Sequence, residues 1–198
     1  VADTRHGRRR CNVSCSIVNI QTFTPPERRL RLYVALPRNR HKQDDVFRQA
    51  TELGFFRITP LQCEHSVVQA DKGDVKQRWY LETVKAIKQS GNVFLPAIDS
   101  PQNFMAALAN ATSGGIFGDI EASSATDRVG LCQPPTETAI WIGPEGGFTE
   151  QERAALKNKP LTPISIGQWT LRVETAVPAL AGRLFSECSS DELWCKHI

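Results

Sequence analysis

The sequence predicts an α/β domain built on a mostly parallel β-sheet. From about residue 30 onward, short apolar runs typical of buried strands alternate with longer segments in which apolar residues recur at helical spacing. The chain has 198 residues, of which 40% are hydrophobic and 23% charged, which is enough for one packed domain with a small appendage and excludes a low-complexity protein. In such sheets ligands bind at the carboxyl ends of the strands, so we expect functional residues in the turns that follow them.

The first 28 residues are predicted to form a separate amino-terminal unit. Apolar residues between Cys11 and Phe23 predict one or two short strands, and residues 24–29 form a stiff linker that contains two prolines. Residues 1–28 are therefore interpreted as a β-remnant with its linker, and residues 29–198 as the main domain. The chain carries no apolar signal segment and no stretch of about 18 apolar residues, which favours a cytoplasmic protein without a membrane partner.

Apolar runs predict six strands in the main domain, separated by segments with helical spacing. These runs are residues 30–36, 56–61, 93–98, 115–120, 138–142 and 163–166. Strands that alternate with helices in this way form parallel sheets with helices on both faces.

Helix-end signals mark the segments between these strands. A helix through residues 46–53 ends at Gly54, and a helix over about 75–90 is followed by Gly91, because glycine readily adopts the left-handed conformation at a helix C-terminus. Thr149 followed by Glu152 predicts a capping box.

Two further helix starts are predicted from caps and prolines. Ser100 is expected to cap a helix that has Pro101 in its first turn and runs to residue 110. Thr175 is expected to cap the last helix, with Pro178 in its first turn.

Positive charge is concentrated near the amino terminus. The formal net charge is +3, but residues 1–42 hold ten basic residues against two acidic ones, and the remainder carries a net charge of −5. Clustered arginines are typical of a surface that binds a polyanion such as RNA, and an ordinary solvated surface is the alternative. The candidate RNA-binding residues are Arg8, Arg9, Arg10, Arg28 and Arg29.

The six cysteines form no C-x-x-C pair, and without a secretory signal we expect reduced thiols. Cys188, Cys195 and His197 could join Cys11 or Cys15 around zinc. Their spacing matches no common zinc motif, so no metal site is predicted.

A glycine-rich turn provides the first candidate site. Residues 140–150 combine an apolar strand, the turn Gly-Pro-Glu-Gly-Gly and a capped helix. Glycines allow the main chain to approach a ligand closely, so the turn is a candidate for binding a small molecule, with a purely structural turn as the alternative. It has neither the lysine of a P-loop nor the glycine spacing of dinucleotide sites.

Residues 166–176 form the second candidate site, with the sequence Ile-Gly-Gln-Trp-Thr-Leu-Arg-Val-Glu-Thr-Ala. They again run from a strand end through a turn into a helix. Arg172 and Glu174 are the charged candidates, and an ion pair between the two is the alternative to a functional role.

Together the two segments resemble the RsmE-type 16S ribosomal RNA uridine-N3 methyltransferases of the SPOUT superfamily. That family has the patterns I-G-P-E-G-G-F-[ST]-x-x-E and L-G-x-R-x-L-R-x-E-T-A, which residues 142–152 match fully and residues 166–176 match mostly. The resemblance extends from about Leu30 to Leu184 through shorter upstream matches at residues 50–54, 58–61, 66–68, 78–79, 89–91 and 96.

The resemblance implies a deep trefoil knot at the carboxyl end, which is a rare exception to unknotted folding, and a homodimer. Residues 1–23 would then be the last strands of a PUA-like β-barrel. The implied cofactor is S-adenosylmethionine (SAM), with Asp119 in one wall of its site. The implied cofactor-binding residues are Phe117, Gly118, Ile142, Gly143, Pro144, Glu145, Gly146, Gly147, Ile166, Gly167 and Leu171.

The implied reaction transfers a methyl group to N3 of a uridine in the RNA of the small ribosomal subunit. N3 is protonated at neutral pH, so the enzyme must help to remove this proton or stabilise the negative charge that develops on the neighbouring carbonyl oxygens. Arg172 is predicted to provide this stabilisation or to hold the target phosphate. Glu145 is the second catalytic candidate.

The chain departs from the family pattern at several positions. Lys88 and Asn92 stand in a segment that the family has as Glu-Gln-x-Gly-Arg, Trp169 replaces an arginine, and His65 stands where arginine is common. Loss of positive side chains could weaken RNA binding or change its target. The alternatives are therefore an enzyme acting on another RNA and an RNA-binding paralogue without activity.

Overall fold

The computed structural model describes residues 15–66, 74–122 and 136–186. These residues contain seven strands and five helices. In chain order they are β1 (Arg29–Ala35), α1 (Arg40–Glu52), β2 (Phe55–Gln62), α2 (Asp74–Ser90), β3 (Ala97–Ile98), β4 (Gln102–Asn103), α3 (Phe104–Asn110), β5 (Gly115–Gly118), β6 (Glu137–Ile142), α4 (Glu150–Lys157), β7 (Leu161–Ile164) and α5 (Val173–Phe185).

The seven strands form one sheet, in which every strand pair is parallel, as predicted. The order is β3-β2-β1-β6-β5-β7, and β4 pairs with β2 next to β3. In the central register, Leu32 lies opposite Ile58 on one side and Ile140 on the other. Strands β2, β3 and β4 extend the sheet on one side of β1, and β6, β5 and β7 extend it on the other side. The carboxyl ends of β6, β5 and β7 therefore lie side by side.

Helices cover both faces of the sheet, which explains why the strands are apolar on both sides. The face covered by α1, α2 and α5 buries residues that include Leu30, Leu32, Val34, Phe47, Trp79, Ile140, Val177 and Leu180. The face covered by α3 and α4 buries Tyr33, Leu61, Phe104, Leu108, Phe117, Trp141 and Leu156. The rings of Tyr33 and Trp141 stack with their centroids 3.8 Å apart.

The predictions for three helix ends are confirmed. Gly54 and Gly91 have φ values of 80° and 74°, the left-handed conformation in which a side chain would be strained. The hydroxyl oxygen of Thr149 accepts a hydrogen bond from the Glu152 N–H, and the Glu152 carboxylate accepts one from the Thr149 N–H at 2.9 Å. This capping box fixes the start of α4.

The prediction for residues 93–110 is partly wrong. The strand is confined to β3, and α3 begins at Phe104 because the Asn103 side chain accepts hydrogen bonds from Met105 N and Ala106 N. Pairing of β4 with the end of β2 draws residues 102–103 out of the helix. Tertiary pairing therefore overrides the Ser-Pro signal.

The predicted strands in the amino-terminal unit are wrong within the described residues. Residues 15–23 have no strand, and Ile17 and Val18 are 82% and 96% exposed. A strand requires a hydrogen-bonded neighbour, and no described segment pairs with these residues. The rest of the predicted unit, residues 1–14, lies outside the described residues.

The start of α5 also differs from the prediction. Arg172 occupies the N-cap position and makes no side-chain capping bond, while Thr175 lies inside the helix and Pro178 is its sixth residue. Proline has no N–H to donate, so the helix lacks one hydrogen bond there. The ends of β5 and β7 likewise fall two residues earlier than predicted, at Gly118 and Ile164, which lengthens the turns that follow.

None of the helices in the described part of the chain has the length and apolar character that a bilayer crossing requires.

Candidate active site

The carboxyl ends of β5, β6 and β7 surround a groove of about 120 Å³. Three turns, one after each strand, form its walls, and α5 contributes two side chains. The lining residues are Gly118, Asp119, Ile120, Ile142, Gly143, Pro144, Gly147, Phe148, Ile164, Ser165, Ile166, Trp169, Thr170, Leu171, Ala176 and Leu180.

The turn after β6 requires its glycines. A Cβ atom on Gly143 would lie 3.1 Å from the Phe148 ring, so a side chain would displace this buried aromatic residue. Gly147 has a φ of 73°, and its N–H donates to the Pro144 carbonyl at 2.8 Å. The result is a tight turn in which Gly143 and Gly147 line the groove without a side chain of their own.

Two polar residues hold this turn in place from outside the groove. A ring nitrogen of His65 lies 3.2 Å from the Gly147 carbonyl oxygen. The buried Glu152 carboxylate accepts from Glu64 N at 3.0 Å and from Thr149 N at 2.9 Å, which ties the segment after β2 to the start of α4. The turn is therefore preorganised by hydrogen bonds from two other segments.

The turn between β7 and α5 forms the opposite wall. Gly167 has a φ of 77°, and the Ser165 hydroxyl donates to the Gly167 carbonyl at 3.0 Å. Beyond this bend, the Trp169 side chain is 75% exposed. The wall is therefore aliphatic at its base and aromatic at its open side.

The turn after β5 forms the third wall. The Asp119 N–H donates to the Ile164 carbonyl at 2.9 Å, which joins this turn to the end of β7. The Asp119 carboxylate is 3.8 Å from Arg153 and is mostly buried. A Cβ atom on Gly118 would lie 3.2 Å from Leu180, so glycine permits the close approach of α5.

Seven of the eleven residues expected to bind the cofactor line this groove. They are Gly118, Ile142, Gly143, Pro144, Gly147, Ile166 and Leu171. The other four lie beside it: Phe117 is buried in the core beneath, Glu145 and Gly146 are exposed at the tip of the turn, and Gly167 is at the bend of the next turn.

Asp119 lies in the wall where the resemblance indicated it. Sequence reasoning did not assign several other lining residues to the groove: Ile120, Phe148, Ile164, Ser165, Ala176 and Leu180. It included Trp169 and Thr170 only as part of the candidate segment 166–176. Those on the three turns are adjacent to assigned residues and could have been found by extending each turn. Ala176 and Leu180 could not, because only the packing of α5 brings them to the strand ends.

Arg172 and Glu174 do not pair with each other. The Glu174 carboxylate is 2.9 Å from the Lys42 ammonium group on α1, and its second oxygen is buried without a hydrogen bond. Arg172 is exposed, and its side chain makes no ion pair or hydrogen bond with any described residue. Its guanidinium therefore remains available to a ligand next to the groove residue Leu171.

The two predicted RNA-binding arginines that the structure describes do not lie at the groove. Arg28 and Arg29 lie at the amino-terminal end of β1, about 20 Å from its carboxyl end at a rise of about 3.3 Å per residue. The Arg29 guanidinium lies 5.7 Å from the centre of the Phe56 ring. Arg8, Arg9 and Arg10 lie outside the described residues.

A larger cavity of about 520 Å³ borders the start of α4 and includes Cys63, Asn103 and Glu152. Burial, reinforced by the nearby Glu152 carboxylate, raises the pKa of the Cys63 thiol to about 12, so this thiol stays protonated and is a poor nucleophile at neutral pH. The described residues contain no group of three or more side chains suited to holding a metal ion.

Comparison with known proteins assigns the chain to a family. The model of the RNA methyltransferase domain family matches residues 24–184, which include all seven strands, all but the last residue of α5 and the whole groove. The chain belongs to this RNA methyltransferase family. The match includes the described glycine turn, the three groove walls and Arg172.

Relatives and solved structures agree with this assignment. The chain is 28% identical over 177 residues to the ribosomal RNA small subunit methyltransferase E of Aquifex aeolicus, covering 88% of this chain and 76% of that protein. A Legionella pneumophila methyltransferase solved with bound SAM has a TM-score of 0.73 and 28% identity, with 82% of this chain and 67% of that chain covered.

A third protein shares the fold. The small subunit methyltransferase E of Neisseria gonorrhoeae, solved with S-adenosyl methionine, has a TM-score of 0.72 and 23% identity. The match covers 82% of this RNA methyltransferase chain and 68% of the other.

Proposed function

We propose that this chain is a SAM-dependent methyltransferase that modifies small-subunit ribosomal RNA, and that its target atom is N3 of a uridine. The observation that carries the proposal is the groove itself: three glycine-containing turns at adjacent strand ends, within the 161 residues that match the RNA methyltransferase family. The names of relatives and the family resemblance of the two motifs support the choice of RNA and nucleotide.

The groove suits an adenosyl cofactor. Its inner walls carry the aliphatic side chains of Ile142, Ile164 and Leu180, which suit a flat heterocycle, and the glycine turns offer main-chain N–H and C=O groups. The Asp119 carboxylate adds an acceptor for hydroxyl groups. We propose that the lining residues other than Trp169, together with Phe117, Glu145, Gly146 and Gly167 behind and beside them, form the SAM site. When bound, SAM supplies an electrophilic methyl group on a sulfonium.

Arg172 and Glu145 are proposed as the catalytic residues. Arg172 presents a guanidinium that no described side chain engages, and its five donors suit a carbonyl oxygen that becomes negative as uridine loses its N3 proton. Glu145 is exposed at the tip of the glycine turn and is the carboxylate proposed to accept that proton. Glu174 is bound by Lys42 and is assigned a role in fixing the start of α5.

We propose that the carboxyl end forms a trefoil knot. After β7 at the edge of the sheet, the chain returns to pack α5 against α1 and β6 near the centre. This return would pass through the loop that connects β5 to β6. Residues 123–135 of that loop lie outside the described residues.

We also propose that the amino-terminal residues bind RNA and that the chain forms a homodimer. Residues 1–28 would belong to a PUA-like unit, with the boundary just before β1, and Arg8, Arg9, Arg10, Arg28 and Arg29 would contact RNA. Of these, the described Arg28 and Arg29 lie far from the groove. A homodimer would allow one chain to hold the RNA that its partner modifies. Action on the small ribosomal subunit implies a cytoplasmic enzyme.

A pair of alanines on α5 tests the location of the SAM site. Ala176 lines the groove, whereas Ala179 on the same helix is equally half-buried and lies outside the lining. In calorimetric titrations with S-adenosylhomocysteine, we expect Ala176→Leu to weaken binding at least tenfold, because the larger side chain fills cofactor volume, and Ala179→Leu to leave it unchanged. Saturable binding that is equal in both variants would refute the assignment.

A further inference from the structure

We propose that Trp169 is the platform on which the base of the target nucleotide stacks. The inference rests on the proposed function, since it assigns the base-binding residue of the same site. It concerns a position where this chain has an indole and the family pattern has an arginine.

The exposure of Trp169 distinguishes it from the other described tryptophans. Trp79 is 2% exposed and Trp141 is fully buried, and both stack on other aromatic rings of the core. Trp169 is 75% exposed and has no aromatic partner among the described residues. Keeping so large an apolar surface in water is unfavourable, and a base stacked on the ring would cover part of it.

The local backbone holds the indole at the mouth of the groove. The left-handed Gly167 and the Ser165–Gly167 hydrogen bond shape the turn that carries it, and α5 begins four residues later. Arg172, three residues along the chain, is also exposed. An aromatic face and an unpaired guanidinium on one short turn match the two groups of a nucleotide, its flat base and its polar oxygens.

The aliphatic walls explain why the indole serves the base rather than the adenosyl group. The inner groove is formed by side chains that are almost fully buried, such as Ile142, Ile164 and Leu180. Trp169 lines the same groove but is 75% exposed, so its ring lies towards solvent from these walls. The indole is therefore free on the open side, from which an RNA substrate must enter.

Fluorescence provides the test. A short uridine-containing oligoribonucleotide is titrated into the full chain saturated with S-adenosylhomocysteine, and tryptophan emission is followed in wild type and in Trp169→Phe. We expect saturable quenching in wild type that is much smaller in Trp169→Phe, because Trp79 and Trp141 are buried. Both proteins carry Trp194→Phe in this titration, which removes the signal of the fourth tryptophan, outside the described residues. Quenching of equal size in both proteins, or none in wild type, would overturn the proposal.

Affinity for a dye-labelled copy of the same oligonucleotide, measured by anisotropy, separates stacking from a structural effect. Trp169→Ala is expected to weaken it about tenfold or more, which is the loss typical of one stacked base, and Trp169→Phe to retain most of it. Leu81→Ala, which truncates an exposed apolar residue on α2, should change nothing.

Binding of S-adenosylhomocysteine tests the role of Trp169 separately from the proposed function. We expect all three variants to bind it as wild type does. If Trp169→Ala loses S-adenosylhomocysteine affinity, the indole covers the cofactor and the proposal is wrong. If wild type itself binds no S-adenosylhomocysteine, the proposed function fails independently of Trp169.

Discussion

The role proposed for Arg172 depends on whether Glu174 occupies its guanidinium. The sequence predicts a charged pair at positions 172 and 174 without indicating whether the two side chains satisfy each other. The structure separates them because Lys42, 132 positions before Glu174 in the chain, takes the carboxylate. A partner so distant in sequence cannot be predicted from local spacing. The sequence alone therefore does not decide between an Arg172–Glu174 ion pair and a functional Arg172.

At the residue scale we predict that Arg172→Ala lowers the rate of methyl transfer about 100-fold. This is the loss typical of removing one donor that stabilises developing negative charge. The affinity for S-adenosylhomocysteine should not change, because the guanidinium is proposed to act on RNA and not on the cofactor. Single-turnover transfer from labelled SAM measures the rate.

Lys157→Ala provides the control, since it removes an exposed cation at the end of α4. It should transfer at the wild-type rate. Equal rates in Arg172→Ala and Lys157→Ala would show that Arg172 has no part in the chemistry.

At the element scale, the helix ends decide how the groove is built. Several signals that depend on one residue and its own turn predict the helix ends correctly, such as Gly54, Gly91 and the Thr149 capping box, whereas the Thr175 cap does not. Signals that compete with strand pairing were not, since β4 pairs with β2 and delays α3 to Phe104. The same limit applies to residues 15–23, whose apolar spacing predicts strands that have no neighbour among the described residues.

The buried carboxylate of Glu152 accepts one N–H from the segment after β2 and one from the start of α4. Glu152→Ala would leave Glu64 N and Thr149 N without this acceptor. We expect the free energy of unfolding to fall by about 2 kcal/mol and S-adenosylhomocysteine affinity to fall as well, because the glycine turn loses its anchor.

Urea unfolding and calorimetry measure the two effects. Glu150→Ala, an exposed residue in the same first turn of α4, is the matched variant and should stay within about 0.5 kcal/mol of wild type. If the two substitutions cost the same stability, the anchoring role of Glu152 is wrong.

At the scale of the whole molecule, alternation of strands and helices predicted the parallel sheet but not its order. The insertion of β6 between β1 and β5 brings three turns from separate parts of the sequence to one groove. Two of these turns carry recognisable motifs. Helix α5 reaches the groove because the chain crosses back over the sheet after β7. Local sequence patterns do not predict this crossing.

Only the fold of the whole molecule shows where the positive charges lie relative to the groove. The amino-terminal arginines appear in the sequence as one RNA-binding group, yet Arg28 and Arg29 lie at the end of the sheet opposite the groove. An RNA substrate that contacts both regions must extend along the domain. A large substrate such as a ribosomal particle satisfies this requirement more readily than a single nucleotide.

The most direct test of the account is methyl transfer from labelled SAM into unmodified small-subunit ribosomal RNA or small ribosomal subunits, followed by digestion and identification of the methylated nucleoside. We predict incorporation into a single nucleoside, N3-methyluridine, by wild type and by Ala179→Leu, and its loss in Ala176→Leu. Incorporation that persists in Ala176→Leu at the wild-type rate, or no incorporation by a wild-type protein that binds both S-adenosylhomocysteine and RNA, would contradict the account.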